Sequence, residues 1–114
     1  EILQDLDPMI RKSFRMTLKE GKLEEYKKKH DEVWPEITEA LNKAGVKNYS
    51  IYYHKKDNTL IEYMELKDNN TFEQLEELDI LKKWNVYMKD LLVTKSETNA
   101  NPVVEELLEV FHHN

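Results

Sequence analysis

The chain has 114 residues, and 23 Asp and Glu against 17 Lys and Arg give it a net charge of −6 at pH 7. This length suits one domain that buries a real core. The acidic balance argues against a nucleic-acid surface, because phosphate binding needs a clustered basic face. There is no cysteine, which excludes disulfides and thiolate catalysis, and no apolar run approaches the roughly 20 residues of a membrane span. We therefore expect a cytoplasmic protein that binds neither nucleic acid nor membranes.

The N-terminal part contains a predicted strand that begins at Met9. Residues 1–8 precede this methionine, which could be the original start, so we set them apart as an added or flexible extension and expect one domain over residues 9–114. After Met9 apolar and polar residues alternate, with Lys12 as an exception on the apolar side. This period of two predicts a strand whose apolar face carries Ile10, Phe14, Met16 and Leu18.

A helical stretch follows an expected turn at Gly21. Apolar and aromatic residues recur there at steps of three and four, the spacing that keeps side chains on one face of an α-helix. Pro35 is expected to kink or divide this helix, and Gly45 is expected to cap its end. The predicted apolar face carries Leu23, Tyr26, His30, Val33, Trp34, Ile37 and Leu41.

The second half of the chain predicts a hairpin, another helix and an ambiguous end. Two runs rich in Tyr, Ile and Leu flank Asp57-Asn58, which favours a turn. Thr71 and Gln74 resemble a capping box before a second helix, and TKSETNANP is a polar connector. In the last segment, VVEELLEVFHH, the preceding Pro102 favours a helix, whereas the Val and Phe residues favour a strand. The apolar face of the second helix is predicted to hold Leu81, Trp84, Met88 and Leu91.

With a C-terminal strand, the order of elements is β-α-β-β-α-β. This order is the α+β, ferredoxin-like arrangement, an antiparallel sheet with both helices packed on one face. Met16, Ile51 and Met64 are not expected to fit together under two helices, so the sheet should carry apolar residues on both faces. A second copy would cover the uncovered face, and we predict a homodimer joined sheet to sheet.

The candidate chemistry rests on aromatic residues and one histidine. Phosphate loops, nucleophile elbows, zinc motifs and dinucleotide-binding glycines are absent from the sequence, and no ligand spacing joins His30 to His54, so no metal site is expected. An interior rich in Tyr and Trp suits a pyranose, whose C–H faces stack on rings while hydroxyl, indole and imidazole groups bind its hydroxyls. By pattern alone, however, most of these rings belong to a core, and His30 is more readily a core histidine bonded to a backbone carbonyl or to Tyr26.

Several separated motifs give the chain a family resemblance. The segments MIRKSFRM, EEYKKKHDEVWPEI, GVKNYSIY, KKWNVYM and ELLEVF stand in the order and spacing found in L-rhamnose mutarotases, from Met9 to about Phe111. The resemblance implies a cytoplasmic, cofactor-free isomerase that interconverts the α and β anomers of L-rhamnose. It also implies a homodimer of ferredoxin-like subunits, a dimeric α+β barrel, and a strand at the C-terminus.

The same resemblance implies roles for five residues. His30 matches the catalytic histidine of the family, a proton donor, while Tyr26 and Tyr49 match its sugar-binding tyrosines. The family often has two adjacent tryptophans in the second helix, and this chain has Trp84 followed by Asn85. Trp84 is expected to stack on the sugar. Asn85 stands in place of a second tryptophan and could bind a sugar hydroxyl instead, so the sugar preference at that edge stays open.

Two other classes of function stay open at this point. One is a cofactor-free, ferredoxin-like oxygenase or dehydratase that acts on an aromatic substrate, and its apolar pocket would also use His and Trp. The other is a sugar-binding dimer without catalysis. Enzyme-dependent exchange between sugar anomers, or turnover of an aromatic compound, distinguishes the three.

Overall fold

The computed structural model describes residues 9–114, and the extension expected at residues 1–8 lies outside the described residues. Within the described range, six strands, three α-helices and one 3-10 helix follow one another. Their bounds are β1 Met9–Thr17, α1 Leu23–Asp31, α2 Pro35–Lys43, β2 Val46–His54, β3 Thr59–Lys67, the 3-10 helix Phe72–Glu77, α3 Asp79–Met88, β4 Thr94–Ser96, β5 Asn99–Pro102 and β6 Glu105–Leu107.

The main sheet has the strand order β2-β3-β1-β6, and every neighbouring pair is antiparallel. The first and last strands of the chain are thus neighbours, and the two strands of the central hairpin lie to one side of them. The helices cover one face. The predicted α+β, ferredoxin-like arrangement is therefore confirmed.

The C-terminal segment forms a strand, as the resemblance implied, but a short one. The strand β6 pairs with β1 only over Glu105–Leu107, and the exposed side chains of Val110 and Phe111 lie beyond it. Arg11, at the N-terminal end of β1, holds the segment further along through an ion pair with Glu109 at 3.0 Å. Exposed pairs of this kind each contribute little to stability, so the last residues are held chiefly by the strand itself.

The segment TKSETNANP is more regular than the predicted polar connector. It forms a small hairpin of β4 and β5, in which Thr94 is paired with Pro102 and Ser96 with Asn99. Pro102 therefore ends a strand and does not begin a helix. Val103 follows it with a backbone hydrogen bond to Val93 at 3.0 Å, which fixes the hairpin against the chain that leaves α3.

The predicted division of the first helical stretch at Pro35 is confirmed. The helix α1 ends at Asp31, and α2 begins with Pro35 at its first position, after Trp34 in an extended conformation with φ −65° and ψ 136°. A proline disfavours helical geometry at the residue before it, and at the first helical position its missing N–H costs nothing. At the other end of α2, Gly45 takes φ +84°, the left-handed geometry that follows many helices.

The hairpin predicted at Asp57-Asn58 is confirmed, whereas the capping box at Thr71 is wrong. Asn58 has φ 60°, and its side-chain amide donates to the carbonyl of Leu18 at 2.6 Å, so one residue makes the turn and anchors it. Thr71 precedes a 3-10 helix and makes no side-chain cap hydrogen bond. The α-helix α3 begins only at Asp79, after the extended residue Leu78.

The expectation that Met16, Ile51 and Met64 do not fit together under the helices is wrong. Met16 and Met64 are buried in the core on the helix side, and Ile51 packs against that core, so all three lie under the helices. Lys12, the exception on the apolar side of β1, ends in an ion pair with Glu106 at 2.9 Å. On the outer face Tyr52 is 62 % exposed, and Leu107 is 38 % exposed.

The core divides into two clusters, which we name by their composition. The aliphatic cluster fills the space between α2, the 3-10 helix and the sheet, and consists of Ala40, Ala44, Val46, Met64, Leu66 and Leu75. The aromatic cluster lies beside it under α1 and α3, and consists of Met16, Leu18, Tyr26, Ile37, Leu60, Trp84, Met88, Leu91 and Leu92, with Trp34 packed against it. The helices within residues 9–114 have nine or ten residues, and none has the length and apolar character that crossing a membrane requires.

Candidate functional site

The helix α1 brings Tyr26 and His30 together. The two residues are one turn apart and on the same face, and their rings lie 4.4 Å apart between centroids. Tyr26 is buried, with 5 % of its surface exposed, whereas His30 is half-buried. The charged residues of α1, among them Glu24, Glu25 and Lys28, lie on its exposed side. The amphipathic pattern of this helix therefore directs the histidine inward.

The ring of His30 is held by one nitrogen. Its Nδ1 lies 3.2 Å from the backbone carbonyl oxygen of Tyr26, and a carbonyl can only accept, so Nδ1 carries the hydrogen. Within residues 9–114 the other nitrogen, Nε2, has no hydrogen-bond partner. Every fully buried side-chain polar atom in that range has one, so Nε2 is not fully buried. Nε2 therefore borders open space. Burial lowers the pKa of His30 from its ordinary value, only partly offset by the bond to the Tyr26 carbonyl.

Three further rings complete an aromatic wall around His30. Trp84, from α3, meets the imidazole edge-on at 5.5 Å between centroids and an interplanar angle of 87°. Trp34, from the segment between α1 and α2, meets Trp84 in the same way at 5.0 Å. Tyr87 lies 5.0 Å from Trp34, and the Nζ of Lys29 lies 3.9 Å above its ring. Tyr26 on α1 and Trp84 on α3 contact the imidazole directly, and Trp34 and Tyr87 pack against Trp84.

The opposite wall comes from the sheet. Tyr49, on β2, donates a short hydrogen bond from its hydroxyl to Oε2 of Glu62, on β3. Burial raises the pKa of Glu62 above its ordinary value, against the effect of this bond. Burial, and then the negative charge of Glu62, raise the pKa of Tyr49 well above its ordinary value, and the same two causes raise that of Tyr26. Both tyrosines consequently keep their hydroxyl hydrogens at all ordinary pH values.

A cavity of about 1180 Å³ lies between His30 and Trp84 on one side and Tyr49 and Glu62 on the other, whereas Trp34 and Tyr87 contact Trp84 without lining it. This volume is slightly above the roughly 300–1,000 Å³ usual for small-molecule pockets, so a monosaccharide fits inside it. All five residues singled out in the sequence line the cavity together, namely Tyr26, His30, Tyr49, Trp84 and Asn85. A second cavity, of about 490 Å³ between α2 and the 3-10 helix, contains none of them.

Asn85 and Trp84 are adjacent on α3 but differ in their surroundings. Trp84 is 8 % exposed and belongs to the aromatic cluster, so it is both a core residue and a wall of the cavity. Asn85 donates from Nδ2 to Oδ1 of Asn101 on β5 at 3.0 Å. One of its two N–H hydrogens is thus committed, and the small hairpin of β4 and β5 is tied to the rim of the cavity.

Sequence reasoning did not identify Glu62 or the part played by Trp34 and Tyr87. The signal for Glu62 was available, since Leu60, Glu62 and Met64 share one face of β3 and a single carboxylate interrupts an apolar series there. Trp34 and Tyr87 were recognised as aromatic, but no periodicity indicates which rings meet across separate helices. Within residues 9–114, no three His, Asp or Glu side chains converge as metal ligands.

Comparisons with known proteins agree with one another. A sequence model of the family described as L-rhamnose mutarotase matches residues 11–113. An L-rhamnose mutarotase of Clostridium beijerinckii is 40 % identical over 104 residues, which cover 91 % of this chain and 98 % of that protein. One of Listeria monocytogenes is 44 % identical over 97 residues, which cover 85 % and 91 %.

A solved structure agrees with the sequence comparisons. The crystal structure of an L-rhamnose mutarotase from Formosa agariphila has a TM-score of 0.81 and 31 % identity, and the match covers 92 % of this chain and 99 % of that one. Sequence and fold therefore match over nearly the full length of these relatives. The chain belongs to the L-rhamnose mutarotase family.

Proposed function

We propose that this chain is an isomerase that interconverts the α and β anomers of L-rhamnose. The family supports the reaction class and the sugar. One observation supports the assignment of the chemistry to this site, the orientation of His30. Its Nδ1 is bound to the carbonyl of Tyr26, and its Nε2 borders the aromatic cavity.

Interconversion of the two anomers requires proton transfer and rotation about one bond. The ring oxygen receives a proton from the His30 imidazolium as the bond between C1 and the ring oxygen breaks, while the anomeric hydroxyl passes its proton to a water molecule, directly or through the Tyr26 hydroxyl, and its oxygen becomes the aldehyde oxygen. C1 rotates, and reclosure on the other face returns both protons. An imidazole can give and take a proton near neutral pH, and no covalent intermediate is required.

The remaining site residues are proposed to bind the sugar. Trp84 offers a ring against which a C–H face can stack. Tyr26 has a hydroxyl without a hydrogen-bond partner among residues 9–114, so it is available to hold a sugar hydroxyl or to relay the second proton. Tyr49 and Asn85 line the same cavity and would bind hydroxyls at its other sides.

The two rival functions are not favoured. Nothing in the comparisons supports an oxygenase or dehydratase acting on an aromatic substrate, and the family is one of mutarotases. A sugar-binding protein without catalysis could use the same imidazole as a hydrogen-bond acceptor, and the membership of a mutarotase family is what favours catalysis.

Saturation transfer between the anomeric proton signals tests the proposal directly. L-rhamnose, other 6-deoxyhexoses and pentoses are each mixed with the protein, and the exchange rate between α and β signals is measured against a protein-free sample. We expect exchange in proportion to protein concentration, fastest for L-rhamnose. No protein-dependent exchange with any of these sugars would contradict the function.

We also propose that residues 9–114 act as one domain in a cytoplasmic homodimer. The absence of cysteine supports the compartment. The exposed tyrosine on the outer face, Tyr52, and the exposed apolar residues Leu108, Val110 and Phe111 near the C-terminus support self-association. Sedimentation is expected to give about twice the chain mass of 13.7 kDa, and a monomer at micromolar concentration would contradict the dimer.

A further inference from the structure

Glu62 is a carboxylate in an otherwise apolar stretch of the sheet. Its neighbours across the two adjacent strands are Phe14 on β1 and Ile51 on β2, and neither can accept or donate a hydrogen bond through its side chain. On the same face of β3 it stands between Leu60 and Met64, which are 1 % and 2 % exposed. All four nearest neighbours of Glu62 on this face of the sheet, across the strands and along β3, are therefore apolar.

One oxygen of this carboxylate is occupied and the other borders the cavity. Oε2 accepts the hydroxyl hydrogen of Tyr49. Oε1 has no hydrogen-bond partner among residues 9–114. Every fully buried side-chain polar atom in that range has a partner, so Oε1 is not fully buried and borders open space. Glu62 lines the cavity, which places that open space in front of Oε1 inside the site.

Stability does not account for a carboxylate at this position. Taking a charge out of water is costly, and one neutral hydroxyl as its partner compensates only in part. An apolar side chain in the same register would continue the series of Leu60 and Met64. A costly group that faces a cavity is expected to serve what the cavity binds.

We infer that Glu62 is a specificity-determining residue that, with Tyr49, forms a pair of hydrogen-bond acceptors for two hydroxyls of the bound sugar. The inference rests on the proposed function and extends it to a residue outside the five named above. Because the hydrogen of the Tyr49 hydroxyl is committed to Glu62, the Tyr49 oxygen can only accept from a ligand, as can Oε1. This side of the cavity therefore requires donors, and sugar hydroxyls supply them.

Glu62→Gln is the sharpest variant, since it keeps the size of the side chain and a partner for Tyr49. If the Gln oxygen accepts from Tyr49, its NH₂ group faces the cavity as a donor. If the NH₂ group donates to Tyr49, the Tyr49 hydrogen turns to the cavity instead. In either orientation one of the two acceptors becomes a donor.

A matched control lies on the same strand. Glu65 accepts from the hydroxyl of Tyr63 at 2.8 Å and from the amide of Asn48 at 2.7 Å, but on the outer face of the sheet. Glu65→Gln makes the same chemical change beside the same type of partner, outside the cavity. Any general effect of replacing a glutamate on β3 will appear in this control.

The experiment measures the dependence of anomer exchange on L-rhamnose concentration for the original chain and both variants, with circular dichroism to verify folding. We expect Glu62→Gln to raise KM roughly 10–100-fold, the loss usual for a hydrogen bond to a charged group, with a smaller change in kcat. Glu65→Gln is expected to stay within about twofold. If Glu62→Gln does not fold, Glu62→Ala, which removes the acceptor without adding a donor, is measured in its place.

Deoxy sugars identify the bond. Among 2-, 3- and 4-deoxy-L-rhamnose, at least one should bind the original chain more weakly than L-rhamnose, and Glu62→Gln should cause little further loss with that sugar. An unchanged KM in Glu62→Gln would overturn the inference while leaving the proposed function intact. So would a collapse of kcat at unchanged KM, which would make Glu62 a proton-transfer group. Failure of the original chain to exchange any sugar would overturn the proposed function, and the inference with it.

Discussion

The two clusters under the helices occupy the same face of the same sheet, yet they differ in what surrounds them. The aliphatic cluster has no polar member, and its residues Ala44 and Leu66 are 4 % and 2 % exposed and lie away from the large cavity. Three other members, Val46, Met64 and Leu75, line that cavity with apolar side chains. The aromatic cluster contains Tyr26 and Trp84 and borders the large cavity, which His30 and Glu62 also line. Both clusters bury apolar surface, but only the second one includes side chains that carry polar atoms.

This contrast indicates a division of tasks. A close-packed cluster without polar groups stabilises the fold and offers a ligand nothing to bind. A cluster with a cavity gives up packing and buries a carboxylate and an imidazole, both of which cost free energy. We therefore expect changes at members of the aliphatic cluster away from the cavity, such as Leu66, to alter stability alone, and changes of polar groups that face the cavity to alter function more than stability.

The largest expected effect comes from Trp84, which belongs to the core and to the cavity wall. Trp84→Ala removes a ring that contacts His30, Trp34 and Tyr87, and should cost about 3–5 kcal/mol of unfolding free energy. Sugar affinity of the remaining folded protein should also fall. Denaturant unfolding and a sugar titration measure the two effects, and unchanged stability would remove Trp84 from the core.

A purely structural effect is expected from Leu66 in the aliphatic cluster. Leu66→Ala should cost roughly 2–5 kcal/mol through the cavity it leaves. Exchange per folded molecule should remain within about twofold, because Leu66 does not line the large cavity. Thermal unfolding gives the first quantity and anomer exchange at low temperature the second. Loss of exchange in a folded variant would show that the two clusters are not separate in function.

A smaller effect is expected from the hydroxyl of Tyr26. Tyr26→Phe keeps the ring against His30 and removes a hydroxyl that has no partner among residues 9–114. Stability should hardly change, while exchange should fall about 2–10-fold if the hydroxyl holds the sugar through one neutral hydrogen bond. A loss as large as that of a His30 variant would instead make it the relay for the second proton.

The smallest expected effect concerns stability and pH at Glu62. Burial raises the pKa of Glu62, so the folded chain holds that proton more tightly than the unfolded chain, and stability is lost as the pH rises through the folded pKa. Glu62→Gln should therefore melt at a higher temperature than the original chain near pH 7. The difference in melting temperature between the two proteins should decrease as the pH falls toward the ordinary pKa of glutamate.

The tyrosines that face Glu62, and Glu65 as a control, make the pH dependence of stability easier to interpret. Tyr26 and Tyr49 face Glu62 and have raised pKa values, so neither titrates in this pH window. Hydrogen bonds from Asn48 and then Tyr63 lower the pKa of Glu65, so Glu65→Gln should change stability slightly in the opposite direction. A Glu62→Gln variant less stable than the original chain at pH 7 would mean that the carboxylate stabilises the fold.

The sequence predicted those features whose cause is local. Pro35 and the Asp57-Asn58 pair act through their own backbone geometry, and the alternation in β1 and the spacing of Tyr26 and His30 are direct consequences of strand and helix periods. The short length of β6 and the hairpin of β4 and β5 depend on pairing between distant segments, which no local pattern specifies. The side of the sheet on which Met16, Ile51 and Met64 lie was misjudged because four helical elements, not two, share the cover.

The five candidate residues were named from the sequence and line one cavity, but the contacts within that cavity were not predictable. The period of α1 placed His30 inward, and the family resemblance named four further residues that line the same cavity. Neither could indicate that Nδ1 binds the Tyr26 carbonyl, or that Tyr49 donates to Glu62, since both depend on distances between side chains. The interpretation of His30 as a core histidine bonded to a carbonyl describes one nitrogen correctly, and the proposed function depends on the other nitrogen.

Anomer exchange in His30→Asn tests the central claim most directly. Asparagine keeps a hydrogen-bonding side chain of similar reach but does not titrate, so the variant should fold as the original chain does. Saturation transfer with L-rhamnose is expected to show protein-dependent exchange reduced about 10²–10⁴-fold, the usual contribution of one acid–base group. Exchange close to the original rate in a folded His30→Asn protein would contradict the assignment of the imidazole as the proton-transfer group.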